Sequence, residues 1–479
     1  MPRDKRPLCL FLALLLLAGL LPVETYADTG MIDQPSLENL LLSVDGGEGK
    51  TVRSLHYMYD NNRYVSLRDM AFALSGTARA FEVSYADGQF YVTTGRDYVP
   101  ADGEGEPFPE GAAYATRPMA LNPIQLDGRE LRYLTFLALN SAGKQDCFMS
   151  LTDLAMQLDL NVEVSAGLMR LNTAAGYRID LEALREEGFF YEIHSALVGL
   201  ADTGKVYAAW EPELIVPIAS TTKLMSFIVV MDAVSNGEIT LSDSVTIPDE
   251  SARLSRTADG AIYLEPGWVT DVTELLCAML LPSSNESALA LAIHVAGSEA
   301  AFVARMNEKA RLIGLSDGAV FYNCHGLPAF TDNLAATKIQ NRMSANDMFL
   351  LVSYLLKTYP EITQITSRRY MELPGLHTSV GNSNPLLFNV PGVVGLKTGS
   401  TNMSGACLVC LAEAADAAGQ THPVVAIEFG AEDRTARTTF TEELLRYGLQ
   451  CVGEDPAPAA LPALPASAEE LIRAVLRAN

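Results

Sequence analysis

The chain has 479 residues, of which 49% are apolar and 19% are charged. A chain of this length and composition can bury two or three hydrophobic cores, which excludes a disordered or fibrous protein. Its 58 acidic residues exceed the 34 basic ones and give a net charge of −24. This charge argues against sequence-independent binding of nucleic acid or anionic lipid, which requires clustered Lys and Arg, so we expect no nucleic-acid partner.

The N-terminus has the pattern of a secretory signal peptide. Arg3, Lys5 and Arg6 precede an apolar run over residues 8–21, and the small residue Ala27 follows. A basic start, a short apolar run and a small residue define a cleavable signal, so we predict that residues 1–27 are removed. The apolar run is shorter than the roughly 20 residues that span a bilayer, which makes an uncleaved anchor the less favoured alternative. We expect a secreted protein that acts outside the cytoplasm, in the cell envelope.

The N-terminal region contains an internal repeat. Residues 64–74 are similar to residues 148–158, and Glu82-Val83-Ser84 returns as Glu163-Val164-Ser165. Each copy predicts a short strand, a helix that begins after a Ser cap, and two further strands. This pattern resembles the small α+β module first described at the N-terminus of copper amine oxidases, and the resemblance covers roughly residues 31–175. The repeat has no His or Cys cluster that would bind copper, so a spacer or adhesion module without catalysis is favoured.

The first chemical motif is Ser220-Thr221-Thr222-Lys223, which opens an apolar run that we predict to be helical. Side chains three residues apart share one face of a helix, so the Ser220 hydroxyl is expected beside the Lys223 amine, which can accept its proton. The helix N-terminus would favour the negative charge that develops on attack. Ser141 and Lys144 have the same spacing in a polar segment, so this spacing alone does not identify a site.

Two further motifs follow in the chain. Ser283-Ser284-Asn285 comes after an apolar helix predicted over residues 275–281. Lys397-Thr398-Gly399-Ser400 lies between two strand-like apolar runs, so its polar groups are expected along the edge of a strand. The chain contains this ordered triplet of motifs once.

Together, the three motifs resemble those of the serine β-lactamase and penicillin-binding protein superfamily. The flanking segments are similar to those of the low-molecular-mass D-alanyl-D-alanine carboxypeptidases, over about residues 190–450. These segments are Pro217–Met225, Phe302–Asn307, His325–Leu327 and Gly395–Gly399. The resemblance implies a transpeptidase fold, in which helices flank an antiparallel sheet and a helical subdomain is attached. With the N-terminal repeat, the fold class is a multidomain α+β protein.

The resemblance implies a serine peptidase that forms an acyl-enzyme. Ser220 would attack the carbonyl between two D-alanines of a peptidoglycan stem peptide, and Lys223 would take its proton. A lysine with the ordinary pKa of about 10.4 is almost never neutral at pH 7, so burial and the nearby cation Lys397 must lower the pKa of Lys223. Ser283 would pass a proton to the leaving amine, and Asn285 would hold Lys223 and the substrate amide.

The resemblance also assigns the residues that bind substrate. Lys397 and Thr398 would orient the peptide and its carboxylate, and backbone N–H groups of the nucleophile and of Ser400 would form the oxyanion hole. Arg437 falls where the family places an arginine for the terminal carboxylate, with Arg434 as its nearest competitor. β-Lactam antibiotics would acylate the same serine as inhibitors. No metal ion or cofactor is expected.

Two alternatives to a carboxypeptidase remain open. A β-lactamase-like hydrolase shares the three motifs but would need a Glu-x-x-x-Asn pattern to activate water, and no Glu between Ser283 and Lys397 has Asn four positions on. Removal of a penicillin adduct should therefore be slow. The other alternative is a non-catalytic cell-wall-binding protein, against which the intact motifs speak. The balance between hydrolysis and transpeptidation is left open.

The remaining expectations concern boundaries, cysteines and one histidine. The catalytic domain is predicted over residues 185–452, and residues 453–479 are predicted to be a Pro/Ala linker and a short helix, which offers a peripheral membrane or wall contact. The six cysteines after the signal peptide are expected to be mostly buried free thiols, including Cys407 and Cys410 despite their metal-like spacing. Cys324 stands where the family usually has Pro, and His325 is expected to be structural.

Overall fold

The computed structural model describes ten segments of the chain and divides into two compact units, Met1–Tyr177 and Arg178–Asn479. The described segments are residues 36–57, 62–100, 106–108, 120–121, 124–139, 145–165, 168–179, 193–257, 260–329 and 339–454. The predicted signal peptide and the predicted C-terminal helix lie outside the described residues.

The first unit contains an eight-stranded sheet and a four-stranded sheet, with strand orders β11-β12-β1-β2-β3-β10-β9-β6 and β4-β5-β7-β8. The strands are β1 (Ser36–Val44), β2 (Lys50–Tyr57), β3 (Asn62–Ser66), β4 (Phe81–Ala86), β5 (Gln89–Thr94), β6 (Ala120–Leu121), β7 (Ile124–Leu126), β8 (Arg129–Leu131), β9 (Leu134–Leu139), β10 (Gln145–Ser150), β11 (Asn161–Ser165) and β12 (Leu168–Asn172). The helices are α1 (Leu67–Leu74) and α2 (Leu151–Leu158).

The element order at the two copies of the sequence repeat is the same. A strand, a helix and two strands follow one another as β3-α1-β4-β5 and as β10-α2-β11-β12. Ser66 and Ser150 cap the two helices by accepting a hydrogen bond from the backbone N–H of Asp69 and Asp153. The capping residues predicted from the sequence are therefore in place, while kinship with the copper amine oxidase module stays a prediction.

The second unit is built on a five-stranded antiparallel sheet with strand order β14-β13-β23-β22-β21. Its strands, and those of three small ribbons, are β13 (Ser195–Leu200), β14 (Val206–Trp210), β15 (Val216–Pro217), β16 (Ser244–Thr246), β17 (Val269–Asp271), β18 (Arg342–Met343), β19 (Tyr370–Leu373), β20 (Thr378–Gly381), β21 (Val393–Thr401), β22 (Gly405–Ala415) and β23 (Thr421–Ala431). The helices are α3 (Lys223–Ser235), α4 (Asp249–Leu254), α5 (Val272–Leu280), α6 (Asn285–Ala296), α7 (Glu299–Ile313), α8 (Ala345–Thr358), α9 (Ile362–Thr366), α10 (Leu386–Asn389) and α11 (Arg434–Glu454).

Both faces of this sheet are covered by helices. Successive side chains of each strand point to opposite faces, so one strand contributes to two cores. On β23, Val425 and Ile427 belong to a core that includes α3, α5, α6 and α8. Val424 and Ala426 belong to a second core that includes α11. The predicted arrangement of an antiparallel sheet, flanking helices and a helical subdomain is thus present. β21, which carries the Lys-Thr-Gly motif, is the strand predicted between the two apolar runs, and it lies at the edge of the sheet.

The six cysteines of the described residues are free, and all but Cys451 are buried. Cys407 belongs to the core on the α3 side of the sheet and Cys410 to the core on the α11 side, because a spacing of three places strand residues on opposite faces. They do not form a metal pair. None of the described helices has the length and hydropathy of a membrane span, although α6 and α7, which meet at 86°, pass that test as a bent pair.

Candidate active site

Ser220 lies in a tight turn that leads directly into α3. This serine turn is the 3-10 helix Ala219–Thr222, and Ala219 before the serine has a positive φ of 45°. Side chains three apart eclipse one another in a 3-10 helix, so Ser220 and Lys223 are brought together more closely than a regular α-helix would require. Lys223 Nζ lies 2.8 Å from Ser220 Oγ.

The serine turn is enclosed by two glycines. A Cβ at Gly399 on β21 would lie 2.9 Å from the Ser220 nitrogen, and a Cβ at Gly326 would lie 2.0 Å from the Ala219 oxygen. Gly326 also has a φ of 93°, which only glycine adopts readily. The glycines of the Lys-Thr-Gly and His-Gly segments therefore allow both segments to approach the nucleophile.

Lys223 makes three short contacts inside the protein. Besides Ser220 Oγ, its Nζ lies 2.8 Å from Asn285 Oδ1 and 2.8 Å from the His325 carbonyl oxygen. The last two atoms can only accept hydrogen bonds. A neutral amine has two hydrogens for these acceptors and one lone pair, and the lone pair then faces the Ser220 hydroxyl. The geometry thus suits transfer of the hydroxyl proton to Lys223.

Burial lowers the pKa of Lys223 to about 7, while Cys324 and, to a smaller extent, the charge of Glu286 raise it. The side chain is completely buried, so the ammonium form loses its hydration. The sequence prediction named burial and the cation Lys397 as causes. Burial is the main cause for Lys223, and the repulsion between the two lysines contributes to the low pKa of Lys397.

The second motif places its three residues in different roles. Asn285 is the first residue of α6, and Ser284 is the cap of that helix, since its Oγ accepts the Ser287 N–H at 2.9 Å. Ser283 stands just before the cap, half-buried, with a φ of 71°. Ser284, and not Ser283 or Asn285, therefore caps this helix.

The third motif lies along β21. Lys397 pairs with Val409, a member of the α3-side core, so Lys397 points to the face that carries the serine turn. Burial, and the charges of Lys223 and Arg437, hold the pKa of Lys397 well below its usual range. Ser400 is exposed near the end of the strand.

Arg437 and Arg434 occupy the first turns of α11 but differ in environment. Arg437 is 6% exposed, and its charge acts on Lys397, whereas Arg434 is exposed. Of the two arginines, Arg437 is the one electrostatically linked to the Lys-Thr-Gly strand, and its role as the binder of the terminal carboxylate stays a prediction.

The sequence motifs missed three contributors to this site. The Ser383 Oγ lies 2.6 Å from Thr398 Oγ1. The charge of Glu286 raises the pKa of Lys223, and the His325 carbonyl oxygen contacts Lys223 Nζ. Only Glu286 had a signal, because it directly follows the Ser-x-Asn motif. Ser383 and the carbonyl lie far from their partners in sequence.

His325 belongs to a small cluster with Glu299 and Cys324, whose donor atoms lie within 4.8 Å of one another. His325 Nδ1 accepts the Leu327 N–H at 3.2 Å, which places the proton of the neutral ring on Nε2, 3.6 Å from Glu299 Oε1. The same oxygen accepts the Cys324 thiol at 3.2 Å. Burial and the charge of Lys223 lower the pKa of His325 to about 3. The side chains of His325, Glu299 and Cys324 thus contact one another or the local backbone, as in a structural network.

The second unit of the chain is similar to known proteins. The family model for D-alanyl-D-alanine carboxypeptidase matches residues 191–432. The D-alanyl-D-alanine carboxypeptidase DacF of Bacillus subtilis is 32% identical over 59% of this chain and 68% of its own length. DacC of Escherichia coli is 29% identical over 52% of this chain and 59% of its own length.

Solved structures with local similarity include penicillin-binding protein D2 of Listeria monocytogenes in its ampicillin-bound form, which is 27% identical over 54% of this chain and 97% of that one, with a TM-score of 0.46. PBP3 of Streptococcus pneumoniae is 30% identical over 54% of this chain and 72% of that one, with a TM-score of 0.49. The family model spans half of the chain, and the Bacillus relative is matched over more than two thirds of its length. The chain belongs to the D-alanyl-D-alanine carboxypeptidase family of serine peptidases.

Proposed function

We propose that this protein is a serine-type D-alanyl-D-alanine carboxypeptidase, which removes the terminal D-Ala of peptidoglycan stem peptides through an acyl-enzyme on Ser220. The observation that carries the proposal is the arrangement around Lys223 Nζ, which has two acceptors and one hydroxyl, each at 2.8 Å. Membership of the family supplies the substrate class.

In acylation, the neutral Lys223 amine takes the Ser220 proton as Oγ bonds to the carbonyl carbon between the two D-alanines. The backbone N–H groups of Ser220 and Ser400 stabilise the oxyanion. The C–N bond then breaks, and the proton passes from Lys223 by way of Ser283 to the amine of the departing D-Ala. Asn285 keeps Lys223 in place and accepts or donates to the substrate amide. Water, deprotonated by Lys223, next attacks the ester and regenerates Ser220.

The substrate carboxylate is bound by the cationic end of the site. Arg437 and Thr398 hold the carboxylate of the terminal D-Ala, and Lys397 orients the peptide along the edge strand. Burial and two nearby cations disfavour the charged form of Lys397. The negative charge of a bound carboxylate offsets those cations, so substrate binding favours the positively charged form of Lys397, which in turn attracts the substrate.

The same chemistry defines the inhibitors and the location. β-Lactams place a strained amide where the D-Ala-D-Ala bond would lie, so we infer that they acylate Ser220. A peptidoglycan substrate requires action outside the cytoplasm, in the cell envelope, and residues 1–27 would direct export. The repeat over residues 31–175 serves as a spacer or docking module, and residues 185–452 form the catalytic domain.

The test is release of D-Ala from a soluble peptide that ends in D-Ala-D-Ala, by the full chain and by Ser220→Ala. We expect release by the wild type and none by the variant. Exposure to penicillin, followed by intact-mass measurement over time, separates the alternatives. A slowly lost adduct supports the carboxypeptidase, rapid turnover of penicillin would indicate a β-lactamase, and absence of both adduct and D-Ala release would indicate a non-catalytic wall-binding protein.

A further inference from the structure

Glu286 is a fully buried acidic residue that the mechanism above does not use. It lies in the first turn of α6, immediately after Asn285, and none of its surface is exposed. Its Oε1 accepts the backbone N–H of Ala261 at 3.0 Å and of Ile262 at 2.5 Å. Its Oε2 is buried and has no hydrogen-bond partner among the described residues.

Residues 261–262, which Glu286 binds, precede Leu264, and the Ser255 side chain binds Leu264. The Ser255 Oγ accepts the Leu264 N–H at 3.1 Å, and its own proton has two acceptors in reach, the Ala252 carbonyl at 2.9 Å and the Leu264 carbonyl at 3.3 Å. Glu286 is therefore the anchor of the middle of this segment, at residues 261–262. An anchor needs only an acceptor oxygen, which a glutamine would also provide.

The second oxygen and the negative charge require another explanation. A buried carboxylate oxygen without a partner is costly, and a helix N-terminus stabilises an acidic residue without requiring its burial. Asn285, the preceding residue, contacts Lys223 Nζ at 2.8 Å, and α6 packs against α3, which Lys223 opens. The charge of Glu286 favours the ammonium form of Lys223.

We propose that Glu286 is a positioning residue of the acylation step, which holds residues 261–262 against the first turn of α6 and stabilises Lys223 as an ammonium ion after it has taken the Ser220 proton. The inference rests on the proposed function. The proton moves from Ser220 Oγ to Lys223 Nζ while the new Oγ–C bond forms, and Glu286 itself exchanges no proton. The Glu286 carboxylate makes the Lys223 amine a stronger base, but it also lowers the fraction of Lys223 that is neutral at a given pH.

The test compares single-turnover acylation by a penicillin in full-length wild type, Glu286→Gln and Glu286→Asp, from acidic to alkaline pH. Glutamine keeps the acceptor and removes the charge, so the acid limb of the rate should move to lower pH and the plateau should fall roughly tenfold. Aspartate keeps the charge with a shorter reach, so its acid limb should stay near that of the wild type. Rate constants of single turnovers do not depend on the folded fraction, so partial misfolding of a variant does not obscure the result.

Glu274→Gln is the matched control. Glu274 also accepts a backbone N–H, from Gly375 at 3.1 Å, and a hydroxyl, from Thr270 at 2.8 Å. The Glu274→Gln variant should leave the acid limb of the acylation rate unchanged. The inference is overturned if Glu286→Gln lowers the rate without moving the acid limb, because that result is what a purely structural anchor gives. Failure of the proposed function would look different: wild type itself would form no adduct on Ser220.

Discussion

The pH dependence of acylation is the most quantitative consequence of the site. Lys223 must be neutral to accept the Ser220 proton, and burial places its pKa at about 7. The acylation rate should therefore rise with pH through about 7 and fall about tenfold per pH unit below it. With an ordinary lysine pKa of about 10.4, only about one molecule in 2500 would be neutral at pH 7. Burial thus raises the competent fraction at neutral pH by roughly a thousandfold.

The assay is the second-order rate constant for acylation by penicillin between pH 5 and pH 9, for wild type and for Lys223→Met. Methionine has a similar length but no amine, so its rate should be roughly a thousandfold lower at pH 8 and should lose the acid limb. Lys309→Met is the control, because Lys309 is bound to Asp232 at 2.8 Å and has no part in the mechanism. A wild-type midpoint near pH 10, or a variant with wild-type rates, would refute the reasoning.

Three further variants test separate parts of the structure. Gly399→Ala should slow acylation roughly tenfold to a hundredfold, because a Cβ would lie 2.9 Å from the backbone of the serine turn. Gly453→Ala, with nothing within 4 Å of the added Cβ, should leave the rate unchanged. Ser383→Ala removes a 2.6 Å contact to Thr398, and should raise KM for D-Ala release up to about tenfold with little change in kcat. Arg53→Ala removes the ion pairs that Arg53 makes with the buried carboxylates of Asp69 and Asp146, and should destabilise the first unit by about 3–5 kcal/mol in denaturant unfolding. Hydrolysis of a soluble peptide by Arg53→Ala should be unaffected, because the catalytic unit is expected to act independently of the first unit. A loss of hydrolysis in this variant would contradict that expectation.

The sequence predicted those parts of the site that depend on local spacing. Ser220 and Lys223 are three residues apart, and a helical turn alone brings them together. The Lys-Thr-Gly segment lies between apolar runs, which indicated a strand with polar groups along its edge. Family resemblance added Asn285 and Arg437, which no local rule could have assigned.

Other features required the folded chain. Ser283 and Ser284 are chemically identical in sequence, and only the backbone decides that Ser284 caps the helix. The His325 carbonyl has no side-chain signature, although it is one of two acceptors for Lys223. How far burial lowers the pKa of Lys223 depends on packing and distances that a sequence does not contain.

The central claim is that Ser220 is the residue that becomes covalently acylated. Penicillin-treated wild type should be digested, and the attachment site of the adduct located by peptide mass spectrometry. We predict one modified peptide, with the adduct on Ser220 and no adduct in Ser220→Ala. An adduct on any other residue, or one of equal amount in Ser220→Ala, would contradict it.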